Sequence, residues 1–417
     1  RRGRRPPLRQ QNPGDSRRFL AQGCEVTGRF SLIVSCLLLL STPSSARDAQ
    51  RVQRLIVGRG SALAACEGLD ASNGNRARTR FPASPELAFR TRLSGGIGQA
   101  PASDARGNLI VAHAEPRLSK LDAKGRTLWS ERLTSEASSA PVLTSAGSIL
   151  IVTRDGDALF FSSAGKLLAK RALPLSDPRR RSLAIPTSNG GALLASGSEL
   201  LELDERGAIV RKLRASGNVS AIAEGNQAWV AVSENGTVQV ARTTGDLELI
   251  GSFAGKVPEG AAVNAGKVYA VVDGHKWSAL DLTTGQLVTL ASDPNLTLSG
   301  PVALLDAPSA ALVAEGGFVS VRAKDGSESA RFPLSAAGQS ADPALRGLRA
   351  ALVISDQRGA LAAVRSGNDA LVLREGGSAL RLDDTSCLDP FRPTPTPSGI
   401  VFACRSGQLF GVSDRAP

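Results

Sequence analysis

Two histidines, five cysteines and three tryptophans are the side chains from which a reactive or ligand-binding site would first be assembled in this 417-residue chain. His113 lies at the end of an apolar run, and His275 follows Asp273-Gly274 in a tight turn. Neither has cysteines or carboxylates at the spacing of a zinc motif, so both read as neutral, hydrogen-bonded core or turn residues. Gly95-Gly96-Ile97-Gly98 precedes a strand-like run and not a helix, which makes it a turn and not a phosphate cradle. No G-x-S-x-G elbow occurs, and no D-x-D-x-D-G calcium loop. The sequence therefore offers no catalytic residue, no cofactor-binding residue and no metal ligand.

The cysteines point to stabilisation and anchoring. Cys387 and Cys404 flank LDPFRPTPTPSGIVFA, a Pro-rich stretch near the C-terminus. An exported chain allows a disulfide between them; two buried thiols are the other reading. Cys66 ends Leu63-Ala64-Ala65-Cys66, similar to a lipobox, and is a candidate lipidation site, although Arg54 and Arg59 interrupt the apolar run that should precede it.

The beginning of the chain carries the localisation signals. Residues 1–29 are rich in Arg, Pro and Gln without periodicity, which reads as disorder. Residues 30–41, FSLIVSCLLLLS, are too short for a comfortable membrane span and suit a signal-peptide apolar core. Ser44-Ser45-Ala46 supplies small residues for cleavage; an uncleaved membrane anchor is the other reading. The position-1 residue is not Met, so the chain reads as starting elsewhere than at its initiator. The expected domains are a leader with signal peptide at 1–46, a flexible linker at 47–85 and a globular body at 86–417.

The net charge of +12 is concentrated at the front. Residues 1–46 hold eight Arg against Asp15 and Glu25, a balance of +6, and residues 47–80 hold seven Arg against three acids, a balance of +4. The rest is left with +2, which is no basic stripe for nucleic acid, and aromatic residues for base stacking are scarce.

The body is a repeat. From Ala100, an Ala-Pro opening is followed by short apolar runs split by turns at Gly107, at Pro116 and at Gly125. Such spacing reads as four antiparallel strands, one propeller blade. The third-turn glycine recurs at Gly165, Gly207, Gly245, Gly285, Gly326 and Gly367, so that seven positions span 242 residues in steps of about 40. A second series, Gly156, Gly197, Gly236, Gly274, Gly317, Gly359 and Gly407, keeps pace. Asp155, Asn235 and Asp273 precede their glycines, a two-residue hairpin signature. Eight copies are counted, and the eighth stops at Asp414 without an outer strand. Residues 86–93, ELAFRTRL, precede the first copy and resemble TLWSERL at 127–133. They are expected to complete the last blade, because an open ring leaves exposed edges. The fold class is all-β: an eight-bladed β-propeller of four-stranded antiparallel blades, closed by an N-terminal strand. Runs such as 148–152, 228–232, 267–272 and 350–354 are strongly apolar, and Glu199–Leu203 reads as an alternating outer strand.

The blade pattern resembles the pyrroloquinoline-quinone (PQQ)-like repeat. Ala140-Pro141-Val142, Gly266-Lys267-Val268-Tyr269, Leu280-Asp281-Leu282-Thr283-Thr284-Gly285 and Leu121-Asp122…Gly125…Leu128-Trp129 carry the likeness, which covers about 86–414. The family's outer-strand Trp survives as Trp129; Phe89 takes its place in the closing strand, and Leu168, Val210 and Val288 are read at the equivalent place elsewhere. Quinone-binding members use a Trp floor, a vicinal Cys-Cys disulfide and calcium. There is no adjacent Cys pair here, and Trp229 and Trp277 fall on different strands as core residues, so no quinone or other cofactor is expected. The resemblance implies a non-catalytic binding or scaffold module of a bacterial envelope. It would be periplasmic or secreted, or lipid-anchored to the outer membrane, and would engage envelope proteins through blade loops as a monomer. It implies no nucleic acid, and any membrane tether would be N-terminal. Relatives of this kind include lipoproteins that assist outer-membrane barrel assembly. The rival reading is a quinone- or metal-dependent oxidoreductase; a sugar- or peptide-binding propeller is a third.

Overall fold

A computed structural model describes residues 64–66, 77 and 79–414, apart from 226–227, 243–244, 259, 293, 295–297, 305–309, 315–317, 323–326, 334–351, 356–360, 365–370, 374–378, 382–386 and 388. The leader, with the apolar core at 30–41 and the cleavage site at Ala46, lies outside the described residues, as do Gly317, Gly326, Gly359 and Gly367. The described elements are all strands, and they form eight four-stranded antiparallel sheets.

Seven sheets are continuous in sequence: 102–132, 142–172, 182–214, 219–252, 261–292, 298–333 and 352–381, numbered here as blades 1 to 7. Blade 8 is composite. Its inner three strands are Thr394–Thr396, Gly399–Ala403 and Gln408–Asp414, and its outer strand is Pro85–Arg92. Pro85 pairs with Asp414 and Arg92 with Gln408, antiparallel, and the Ser84 N–H donates to the Asp414 carboxylate at 2.8 Å. The edge that the last copy would otherwise expose is thereby covered.

The first strand of each blade lines the axis. These strands touch one another from blade 8 to blade 1 and on around to blade 7. Burial falls off outward. In blade 1 the second strand, Leu109–Ala112, is fully buried, while the outer strand, Thr127–Arg132, is mostly exposed. Glu199–Leu203 corrects the sequence reading: it is a third strand and buried almost throughout. Its alternation comes from acids paired to the outer strand, with Lys212 on Glu199 at 3.0 Å and Arg211 near Glu202 at 3.7 Å.

The turn glycines do what their spacing suggests. Gly125, Gly165, Gly207 and Gly285 all have left-handed backbones, as do Gly156, Gly197, Gly236, Gly274 and Gly407. Gly245 is not among them. Of these three Asp-Gly and Asn-Gly pairs, Asp273-Gly274 alone has both residues left-handed. At Asp155-Gly156 and Asn235-Gly236 only the glycine is left-handed, and the bond from glycine N–H to Thr153 or Ser233 closes a three-residue turn. The repeat's aspartates cap the third turn. Asp122 Oδ1 accepts from the Lys124 and Arg126 N–H groups, both at 2.9 Å. Burial works to raise the Asp122 pKa, but these bonds and the Arg126 guanidinium outweigh it and hold the carboxyl below its ordinary value.

The blade-to-blade contact of the outer strand falls one residue later than the sequence suggests. Leu168, Val210 and Val288 are 56%, 59% and 45% exposed and face solvent. Trp129 stands four residues after Gly125; the equivalent positions are Ala169 and Arg211. Trp129 Nε1 donates to the Ser163 carbonyl of the next blade at 3.1 Å, and its ring covers Gly165, where a Cβ would come within 2.9 Å. Arg211 donates to the Arg242 and Gly245 carbonyls of the following blade at 2.7 and 2.8 Å, and stacks on Trp229 at 3.7 Å. Phe89 packs against Gly125 in the same way, as its sequence position suggests.

Candidate functional site

The axis of a propeller is one place where a ligand can be held. Here the axis-facing strands are met by the protein's own N-terminal segment. Ala64 and Ser103, on the inner strand of blade 1, exchange both backbone hydrogen bonds, at 3.2 and 2.9 Å. The Ala65 carbonyl accepts from the Leu143 N–H of blade 2 at 2.8 Å, and the Ala77 N–H donates to Ser355 of blade 7 at 2.6 Å. Phe81 joins Cys387, Ile400 and Phe402 in the core of blade 8. The linker reading of 47–85 thus fails at these residues, which are built into the body.

Cys66, the candidate lipid-bearing residue, is 1% exposed and belongs to the core cluster that includes Val142, Ile185 and Ile222. An acyl chain on its sulfur needs the thiol outside the fold. Cys387 and Cys404 are joined in a disulfide with their Cα atoms 5.5 Å apart. The bridge ties the approach to the inner strand of blade 8 to the turn after its second strand.

The histidines are structural. His113 is 3% exposed; its Nδ1 lies 3.0 Å from the Ser94 carbonyl and its Nε2 2.9 Å from Ser119 Oγ. Burial lowers its pKa from the ordinary 6.5, and the Ser94 bond opposes this only in part. His275 Nδ1 lies 2.9 Å from the Asp273 carbonyl within its own turn. Gly95 and Gly96 form a left-handed turn leading to Ile97, which bridges to His113. Trp229 and Trp277 are both buried on separate blades.

What sequence reading did not find is a charged recess on one end of the ring. Antiparallel blades place the second-to-third turns and the connections between blades at the same end. There Arg154, Arg179, Arg181 and Arg405, from blades 2, 3 and 8, surround a cavity of about 190 Å³ floored in part by Phe391 and Gln99. Arg154 is paired with Glu136 at 2.9 Å, and Arg405 stacks over Phe391 at 5.4 Å. In the run Arg179-Arg180-Arg181, Arg180 leaves the recess to pair with Glu234 at 3.1 Å. The run was legible in sequence, but its convergence with Arg154 and Arg405 depends on ring closure.

Eight four-stranded antiparallel sheets, the last completed by the N-terminal strand, define an all-β propeller fold. Residues 67–204 match the family described as outer membrane protein assembly factor BamB. BamB from Moraxella catarrhalis is similar in structure, with a TM-score of 0.59 and 15% identity over 79% of this chain and 99% of that one. The computationally designed Ika8 protein is similar with a TM-score of 0.62 and 15% identity, over 79% of this chain and all of that one. No curated protein matches the chain in sequence.

Proposed function

We propose that this chain is an exported, non-catalytic propeller of a bacterial envelope that binds protein partners through the loops at one end of its ring. The observation that carries the reading is the docking of Ala64–Cys66 and Ala77 against the inner strands of blades 1, 2 and 7. The axis is engaged by the chain itself, which leaves the blade ends as the recognition surface. The match of residues 67–204 to an outer-membrane assembly family supports the envelope setting. The leader supports export, with cleavage after Ala46, and the protein acts as a monomer in the periplasm or outside the cell.

Affinity capture from envelope extract, followed by mass spectrometry, tests this. Recovery of specific envelope proteins is expected. Incubation with pyrroloquinoline quinone and calcium is expected to leave no bound chromophore, and a retained chromophore would replace the scaffold reading with an oxidoreductase.

A further inference from the structure

We propose that the Cys387–Cys404 disulfide is made on the open ring, by a disulfide-carrying oxidant that acts before the N-terminal stretch closes blade 8, and that closure then seals the bridge from thiols in solution. The inference goes beyond the scaffold reading and takes from it only the oxidising compartment. Both cysteines are 0% exposed. Ala77 and Phe81 lie in one buried cluster with them, together with Ile400 and Phe402. Phe81 leads directly into the closing strand Pro85–Arg92, and beyond that strand the Leu93 and Ile97 N–H groups donate to the Gly407 and Arg405 carbonyls at 2.8 and 3.1 Å. The stretch that completes blade 8 therefore also covers its bridge and holds the turn that follows Cys404.

The cysteines need none of that stretch in order to meet. The Phe391 N–H donates to the Ala403 carbonyl at 2.8 Å, the Arg405 N–H donates to the Asp389 carbonyl at 3.1 Å, and Pro390 bridges to Cys404. This local ladder brings together two residues 17 apart in sequence, whereas Phe81 comes from about 300 residues away. Local contacts close sooner than distant ones. Oxidation needs access to sulfur at each step. One cysteine thiolate attacks the oxidant's disulfide, forms a mixed disulfide and expels one oxidant thiolate. The other cysteine thiolate then attacks the protein sulfur of that mixed disulfide and expels the second. The protein thiols thereby lose two electrons and two protons, and the oxidant's disulfide becomes two thiols. The mixed disulfide places the oxidant on a sulfur that the closed ring buries completely, so the exchange belongs to the open ring.

Refolding of the full chain from denaturant in oxidised glutathione tests the order, with thiols blocked at intervals and trypsin applied to the same samples. The Cys387–Cys404 bridge, read by mass spectrometry, is expected to appear before the closing strand resists cleavage at Arg90 and Arg92. Resistance gained first, with both thiols still free, would overturn the proposal. Dithiothreitol tests the seal. The bridge of the folded chain is expected to be reduced at least about tenfold more slowly than that of the chain in denaturant. Phe81→Ala is expected to speed that reduction severalfold, while Phe160→Ala, the same truncation in the core of blade 2, is not. Equal rates for the folded and unfolded chain, or equal gains from the two variants, would each overturn the seal. None of these readouts depends on the capture of an envelope protein. Failure here therefore leaves the scaffold reading standing, and failure of capture leaves the order of oxidation and closure standing.

Discussion

Trp129 and Arg211 occupy equivalent places, four residues after a turn glycine, and both reach carbonyls in the next blade's third turn. One uses an indole N–H and a ring face, the other a guanidinium laid on Trp229. Arg211→Lys keeps the charge but loses the planar fork and the stacking, so it is expected to cost about 1–3 kcal/mol in chemical denaturation. Val210→Ala, on the neighbouring exposed residue, is expected to change stability by less than about 0.5 kcal/mol. The sequence offers hydrophobicity as the only cue to a packing role, which points to Val210; the contact falls four residues after the turn glycine, at Arg211, as it does at Trp129. His113 gives a pH signature. Burial holds its imidazole below 6.5, so the unfolded chain takes up a proton first as pH falls. The stability it contributes is complete above about pH 6.5 and is lost progressively below it. The melting temperature is expected to fall between pH 7.5 and 5.5, and His113→Gln is expected to flatten that fall. An unchanged slope in the variant would assign it to other groups.

At the scale of elements, the disulfide secures the blade that has the most to hold. The inner strand of blade 8, Thr394–Thr396, has only three residues, and its approach is Pro-rich. Cys387 and Cys404 are 17 residues apart, a loop for which cross-linking is worth about 3 kcal/mol. Cys387→Ala/Cys404→Ala is therefore expected to melt well below wild type under oxidising conditions, with the difference abolished by reductant. Blades and turns were largely legible in the sequence, because a left-handed turn admits few residues other than Gly, Asn and Asp. Strand rank within a blade was less so. Glu199–Leu203 looked solvent-facing because its acids are visible in sequence and their partners Lys212 and Arg211 are not.

At the scale of the whole molecule, the described residues ahead of the first blade are not separable from the ring. The segment that reads as a linker is polar and Arg-rich, and nothing in its composition signals that Ala64, Ala65 and Ala77 meet three different blades. Such contacts use backbone groups, which every sequence carries alike. Cys66 reports on them: its thiol is expected to resist a maleimide reagent in the native protein, to react on denaturation, and to remain unlabelled in cells fed a clickable palmitate. Rapid native labelling would mean that the segment leaves the ring. Removing Pro85–Arg92 strips the pairing partner from Gln408–Asp414, and the truncated chain is expected to aggregate or to lose its cooperative melt.

The pairing of Pro85–Arg92 with Gln408–Asp414 also sets a schedule for biosynthesis. The two strands are separated by 315 residues of intervening chain, so the seam cannot form on the ribosome until nearly all of the polypeptide has emerged. A nascent chain in that condition stays open and threadable through most of its elongation, which is the condition a translocation pore requires. In a chain exported as proposed above, the last event of folding is then left to the far side of the membrane.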